Sequence, residues 1–192
     1  MKRDTKNQLL EKGLEIITCK GFNNTGIQEV LDAVGAPKGS FYHFFKSKQD
    51  FGLQMIDYHA AQSREHINSF LNDESHPPLE RLKRFFQSTQ AAMEAADFSG
   101  GCLMGNMSQE MGDLNAAFEK KLERKWQASR AAFADCLIAA RRDGAIKGDF
   151  DPDDTADFML NSWQGAMIRM KVTRSSEPLE LFQKMIFEHL LK

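Results

Sequence analysis

The sequence is poor in the residues that usually mark covalent or metal-bound architectures. Its 192 residues include three cysteines, Cys19, Cys102 and Cys136. An odd number without ligand-type spacing argues against a disulfide framework and offers no zinc site, so no metal is expected. No stretch approaches the roughly 18 to 20 apolar residues that a membrane-spanning helix needs. The opening "MKRDTKNQLLEKGL" lacks the apolar core of a secretory signal, which predicts a cytoplasmic protein without a membrane partner. Repeats and low-complexity tracts are missing. GxSxG, P-loop, strand-linked GxGxxG and HExxH patterns do not occur, and no cofactor is expected. The five histidines, His43, His59, His66, His76 and His189, follow no pattern tying one of them to a cysteine. Glu110 alone makes no acid–base pair. Charge of one sign is scarce too: the formal net charge is −2, with eight basic against six acidic residues in 1–50 and 17 against 21 in the remainder. A polyanionic partner is compatible with this balance and is not required by it.

What is present is helical period almost throughout. Hydrophobic residues at 42% and charged residues at 27% suit a globular chain, and the length accommodates a small module joined to a larger one. A first helix is predicted from about Thr5 to Lys20, carrying Leu10, Leu14 and Ile17 on one side and stopping at Gly21. In "NNTGIQEVLDAVG", Thr25 followed by Gln28 predicts a capping box, and Ile27, Val30, Leu31 and Val34 form an inward stripe. Ala36-Pro37 then forces a tight corner into a short third helix. This is helix-turn-helix spacing. A fourth helix is capped by Ser47, with Asp50 at its third position, and runs towards Leu71. Beyond the polar, proline-ended "NDESHPP", helices are expected at about 79–96, 106–111, 115–143, 153–172 and 178–191.

The stretch "APKGSFYHFFKSK" carries recognition chemistry. Phe41, Phe44 and Phe45 recur at helical spacing and are expected to pack inward. That leaves Lys38, Ser40, Tyr42 and His43 on an open face, with Lys46 and Lys48 just beyond it. A second helix presented in this way fits a DNA major groove, with lysines placed for the backbone. Thr25 is expected both to cap its helix and to sit where a helix N-terminus attracts phosphate.

Residues 5 to 56, and above all "GFNNTGIQEVLDAVGAPKGSFYHFFKSKQDF", resemble the DNA-binding domain of TetR-family transcriptional regulators. The resemblance implies that Thr25, Lys38, Tyr42, His43 and Lys48 touch the DNA backbone and that Lys38, Gly39 and Ser40 lie near bases. Phe51-Gly52-Leu53 departs from the family pattern in a way that bears on packing. Further on, Gly-Cys-Leu, then Ser-x-Glu, then Asp-Leu in "DFSGGCLMGNMSQEMGDLN" resembles the NemR-like and AcuR-like branch of that family, as does "MKVTRSSEPLE". These regulators respond to electrophiles, oxidants or small reactive acyl compounds. By that similarity Cys102 is the sensing residue and Lys171 lies close to it, whereas Gly105-Asn106 stands where the branch has other pairs.

Cys102 precedes a short helix whose N-terminus favours thiolate, the reactive form. A free cysteine is also an ordinary small hydrophobe, so both readings stand. The alternative is reversible binding of an apolar or acidic ligand, with Phe98, Met104, Met107, Trp126, Trp163 and Met167 as walls. Dimerisation is expected through the last two helices. Met159, Leu160, Trp163, Ala166, Met167 and Met170, together with Leu179, Phe182, Met185, Ile186, Phe187 and Leu190, offer more apolar surface than one contact face needs.

The sequence therefore predicts an all-α protein of about nine helices. Residues 1–50 form a three-helix helix-turn-helix DNA-binding domain, and residues 51–192 form a larger helical effector-sensing and dimerisation domain. The expected function is a repressor that binds a palindromic double-stranded operator as a homodimer and is released by a small-molecule inducer or by electrophile or oxidant modification of Cys102. A cysteine-dependent enzyme and a helical adaptor without DNA binding are the readings of other classes.

Overall fold

A computed structural model describes residues 2–148 and 150–192. Nine α-helices and no strands occur among the described residues: α1 Lys2–Lys20, α2 Ile27–Val34, α3 Lys38–Phe44, α4 Lys48–Leu71, α5 Pro78–Ala95, α6 Leu103–Met111, α7 Ala116–Arg142, α8 Pro152–Thr173 and α9 Glu177–Lys184. A π-helical segment, Met185–Leu190, continues α9. Asp149, inside the expected break before α8, lies outside the described residues. None of the described helices is long and apolar enough to cross a membrane.

The chain forms two compact units, one of residues 1–62 and 100–124, the other of 63–99 and 125–192. In the first, Leu9, Leu10 and Ile17 of α1, Val30 and Leu31 of α2, and Phe41, Phe45 and Phe51 make one buried core with Met104, Met107 and Phe118. Gly52 has a packing reason. A β-carbon there would lie 2.7 Å from the Phe22 ring and 2.9 Å from that of Phe118, so a side chain would force apart two aromatic rings that α4 needs close. The second unit is built on aromatics. The Phe86 ring lies 4.9 Å from Trp163, 4.9 Å from Phe182 and 5.6 Å from Phe133.

Several helix ends follow sequence chemistry. Ser47 accepts from the Asp50 N–H at 3.1 Å, while Asp50 accepts from the Lys46 N–H at 2.8 Å. Asp151 caps α8 through the N–H groups of Asp153 and Asp154 at 2.8 and 3.0 Å. Thr25 departs from expectation. The cap of α2 is Gly26, without a side-chain hydrogen bond, and the buried Thr25 hydroxyl donates to the Gly21 carbonyl at 2.7 Å. Gln28 bonds Asp32 instead. The capping box is absent because Thr25 belongs to the turn, one residue too early. Phe44 is only half-buried, unlike Phe41 and Phe45.

The outer face of the last helices also differs from expectation. Met159, Leu160, Trp163, Met167, Met170, Leu179, Phe182 and Ile186 are buried within the second unit, where the α5 and α7 aromatics use up the stripe. The exposed apolar side chains there are Phe158, Ile168, Val172, Leu181, Met185 and Leu190.

Burial holds His59 and His66 below the ordinary histidine pKa. The folded state therefore takes up these protons less readily than the unfolded chain, whose histidines titrate near ~6.5. Their stabilising effect is present above that value and declines as pH falls through it. The melting temperature is expected to drop between neutral pH and mildly acidic pH, and His59→Gln to flatten that slope; calorimetry across pH checks it.

Candidate nucleic-acid interface

The α2–α3 corner starts from Gly35, whose φ of 69° closes α2 in a left-handed cap. Its N–H reaches the Asp32 carbonyl at 3.2 Å, and that of Ala36 reaches Leu31 at 3.0 Å, so the cap satisfies two of the last carbonyls of the helix. Pro37 then starts α3 with extended backbone. Inside, Phe41 stacks against Phe45 at 5.0 Å and Phe51 at 5.3 Å. This anchor fixes which side of α3 faces out. Lys38, Gly39 and His43 are exposed, Ser40 is half-buried and Tyr42 is 54% exposed. The Tyr42 ring leans edge-on against Phe41 at 5.5 Å, so its hydroxyl is held away from the core.

Beside α3, the turn between α1 and α2 contributes the exposed Asn23 and Asn24. Lys48, the first residue of α4, donates from Nζ to the Asn23 carbonyl at 3.2 Å and lies 4.9 Å from the Phe22 ring centre. Burial lowers its pKa and the Glu110 carboxylate partly offsets this. Lys46 is exposed and Lys20 pairs with Glu29 at 2.6 Å. The face thus offers cations, hydroxyls and amides on a short helix with a fixed orientation, the chemistry of phosphate and base-edge contacts.

Comparisons with known proteins agree with this geometry. Residues 9–55 match the family described as bacterial regulatory proteins, tetR family, and residues 78–186 match the tetracyclin repressor-like C-terminal domain. The chain belongs to the TetR family of transcriptional regulators. It is 38% identical over 186 residues to the HTH-type transcriptional repressor DhaR of Mycobacterium sp. (strain GP1), covering 97% of this chain and 92% of that protein. It is 34% identical over 183 residues to the transcriptional regulator AcuR of Cereibacter sphaeroides, covering 95% and 84%. The crystal structure of reduced E. coli NemR superposes with a TM-score of 0.86 at 27% identity over 96% of both chains. TetR-family regulators bind DNA operators and small-molecule ligands, typically as dimers, and are not enzymes.

Within this TetR-family protein the expected effector residues are divided between the units. Cys102, at the N-terminal cap of α6 and half-buried, and the buried Met104 belong to the first. Phe98, Trp126, Trp163, Met167 and Lys171 belong to the second. Trp163 and Met167 are core residues there, whereas Phe98, Trp126 and Lys171 are half-buried. Phe98 follows Asp97 in left-handed backbone, with φ of 54° and 50°, and Arg174 donates to the Asp97 carbonyl at 3.1 Å. The other cysteines differ from each other. Cys19 is exposed, while Cys136 donates to the Pro78 carbonyl at 3.2 Å and burial pushes its thiol pKa up to about 11.

Sequence reasoning missed Asn106 and Glu110 of α6. The available signal was their i, i+4 spacing on a helix whose Leu103, Met104, Met107 and Met111 are all buried, which leaves one polar stripe that needs a purpose.

Proposed function

We propose that this regulator is a cytoplasmic repressor that binds a palindromic operator as a homodimer and releases it when an inducer binds or when an electrophile or oxidant modifies Cys102. The observation that carries the DNA reading is the outward polar face of α3 on a buried aromatic anchor. Lys38, Gly39 and Ser40 are placed for base edges, and Tyr42, His43 and Lys48 for the backbone. Thr25 contributes by bracing the turn that carries Asn23. The NemR structure described as a reduced form supports a redox-sensitive reading, and the position of Cys102 at a helix start agrees with it. Reversible ligand binding, with Phe98, Met104, Trp126, Trp163, Met167 and Lys171 contributing, is the second reading; its support is the left-handed backbone of Asp97 and Phe98, since strain of this kind gathers at ligand sites.

Dimerisation through α8 and α9 is supported by the exposed Phe158, Ile168, Val172, Leu181 and Met185, an apolar face that a two-fold copy would cover. The test is enrichment of operator DNA from a randomised pool followed by gel shift. A salt-dependent, sequence-specific complex with a palindrome is expected, and a protein that enriches no sequence refutes the reading.

Gly39 offers a second check. A β-carbon at Gly39 would meet nothing within 4 Å, so nothing inside the protein requires glycine, although glycine in a helix costs about 0.5–1 kcal/mol relative to alanine. Close approach of DNA supplies the reason. Gly39→Ala is expected to stabilise the fold by roughly 0.5 kcal/mol while weakening operator binding, read by thermal melts and anisotropy on the same samples.

A further inference from the structure

The polar stripe of α6 ends on the turn that carries the DNA-facing residues. Asn106 donates from Nδ2 to the Thr18 carbonyl at 2.9 Å, one of the last carbonyls of α1 and without an intrahelical partner. One turn further on, the two oxygens of the Glu110 carboxylate accept from consecutive backbone N–H groups, Phe22 at 2.9 Å and Asn23 at 2.8 Å. Gly21 makes this approach possible: its φ is 89°, and a β-carbon would stand 2.7 Å from Glu110 Oε1. From the other side the Lys48 ammonium holds the Asn23 carbonyl at 3.2 Å. Asn23 is therefore gripped at its N–H by α6 and at its carbonyl by the start of α4. Neither Asn23 nor Lys48 belongs to the buried core, so a clamp of this kind does little for packing and much for the position of outward-facing groups.

We propose that Glu110, assisted by Asn106, is a positioning residue for DNA binding: it fixes the α1–α2 turn and so holds Lys48, Asn23 and Asn24 where a phosphate of the duplex is received. The inference deepens the operator-binding reading and rests on it.

The experiment is operator anisotropy across a salt series for wild type, Glu110→Gln, Glu110→Ala, Lys48→Ala and the Glu110→Ala/Lys48→Ala pair, each checked for folding by circular dichroism and melting. Glu110→Ala is expected to lose about tenfold in affinity and to flatten the log–log salt slope by about one, as Lys48→Ala does. In the double variant the two losses are expected to overlap rather than multiply. Glu110→Gln keeps one accepting oxygen; it is expected to fall between and provides the result if the alanine variant does not fold. Wild-type affinity and slope in a folded Glu110 variant overturn the proposal, as does an undiminished loss in the Lys48→Ala background. If wild type itself shows no operator-specific, salt-dependent binding, the operator reading fails first and takes this assignment with it.

Discussion

Ile168→Glu is expected to convert the proposed dimer to a monomer and to lower operator affinity by at least about 100-fold. Ile168 is 53% exposed, and Phe158 and Val172 on the same helix are 54% and 82% exposed, with Leu181 at 57% and Met185 at 51% on the next. The exposed glycine Gly165 lies between Phe158 and Ile168, and a β-carbon there would meet nothing within 4 Å, which leaves room for a partner helix to cross closely. The core of the second unit does not include these exposed side chains, so the variant is expected to fold. At a covered apolar seam, however, the new carboxylate carries a desolvation penalty of several kcal/mol. A monomer reads one half-site and forfeits the effective concentration that linkage provides, typically 10²- to 10⁴-fold. Light scattering after size exclusion, with gel shift on the same fractions, reads both effects. A variant that stays dimeric and binds normally would place the interface elsewhere.

Cys102→Ser is expected to abolish release by a thiol-directed electrophile. With N-ethylmaleimide as probe, the Cys102 thiolate adds to the alkene carbon, a sulfur–carbon bond replaces the carbon–carbon π bond, and water supplies the proton that ends on the adjacent carbon. Wild type should lose operator binding as mass spectrometry shows one adduct at Cys102. Cys19 is exposed, so Cys19→Ser is the control and should remain responsive. Cys136, buried and with its thiol pKa pushed up to about 11, should stay unmodified near neutral pH, since thiolate is the nucleophile. A Cys102→Ser protein that is still released refutes covalent sensing there and leaves reversible ligand binding as the switch.

The DNA-facing half of the fold was legible because its signals are local. Ile27, Val30 and Leu31 repeat within one helix, Gly35 and Pro37 mark the corner, and Ser47 with Asp50 caps α4 within four residues. Thr25 misled for the same reason: the local pattern of a cap is there in the sequence, but the cap of α2 is Gly26 and the Thr25 hydroxyl turns back to Gly21. The outer face of α8 was harder to see. Periodicity reports the larger apolar stripe, and Trp163, Met167 and Met170 belong to the core, while the outward Phe158, Ile168 and Val172 are interleaved with it. Glu110 left no readable trace of its partner, because Phe22 lies 88 positions away.

The central claim, that the open side of α3 lies against a duplex, is tested most directly by the operator affinity of a Lys38→Ala/Tyr42→Phe double variant. Both side chains are exposed, so melting temperature and dimerisation should match wild type. The account predicts a loss of at least about tenfold, with a flatter salt dependence. A double variant that binds the operator as tightly as wild type, with the same salt slope, would contradict it.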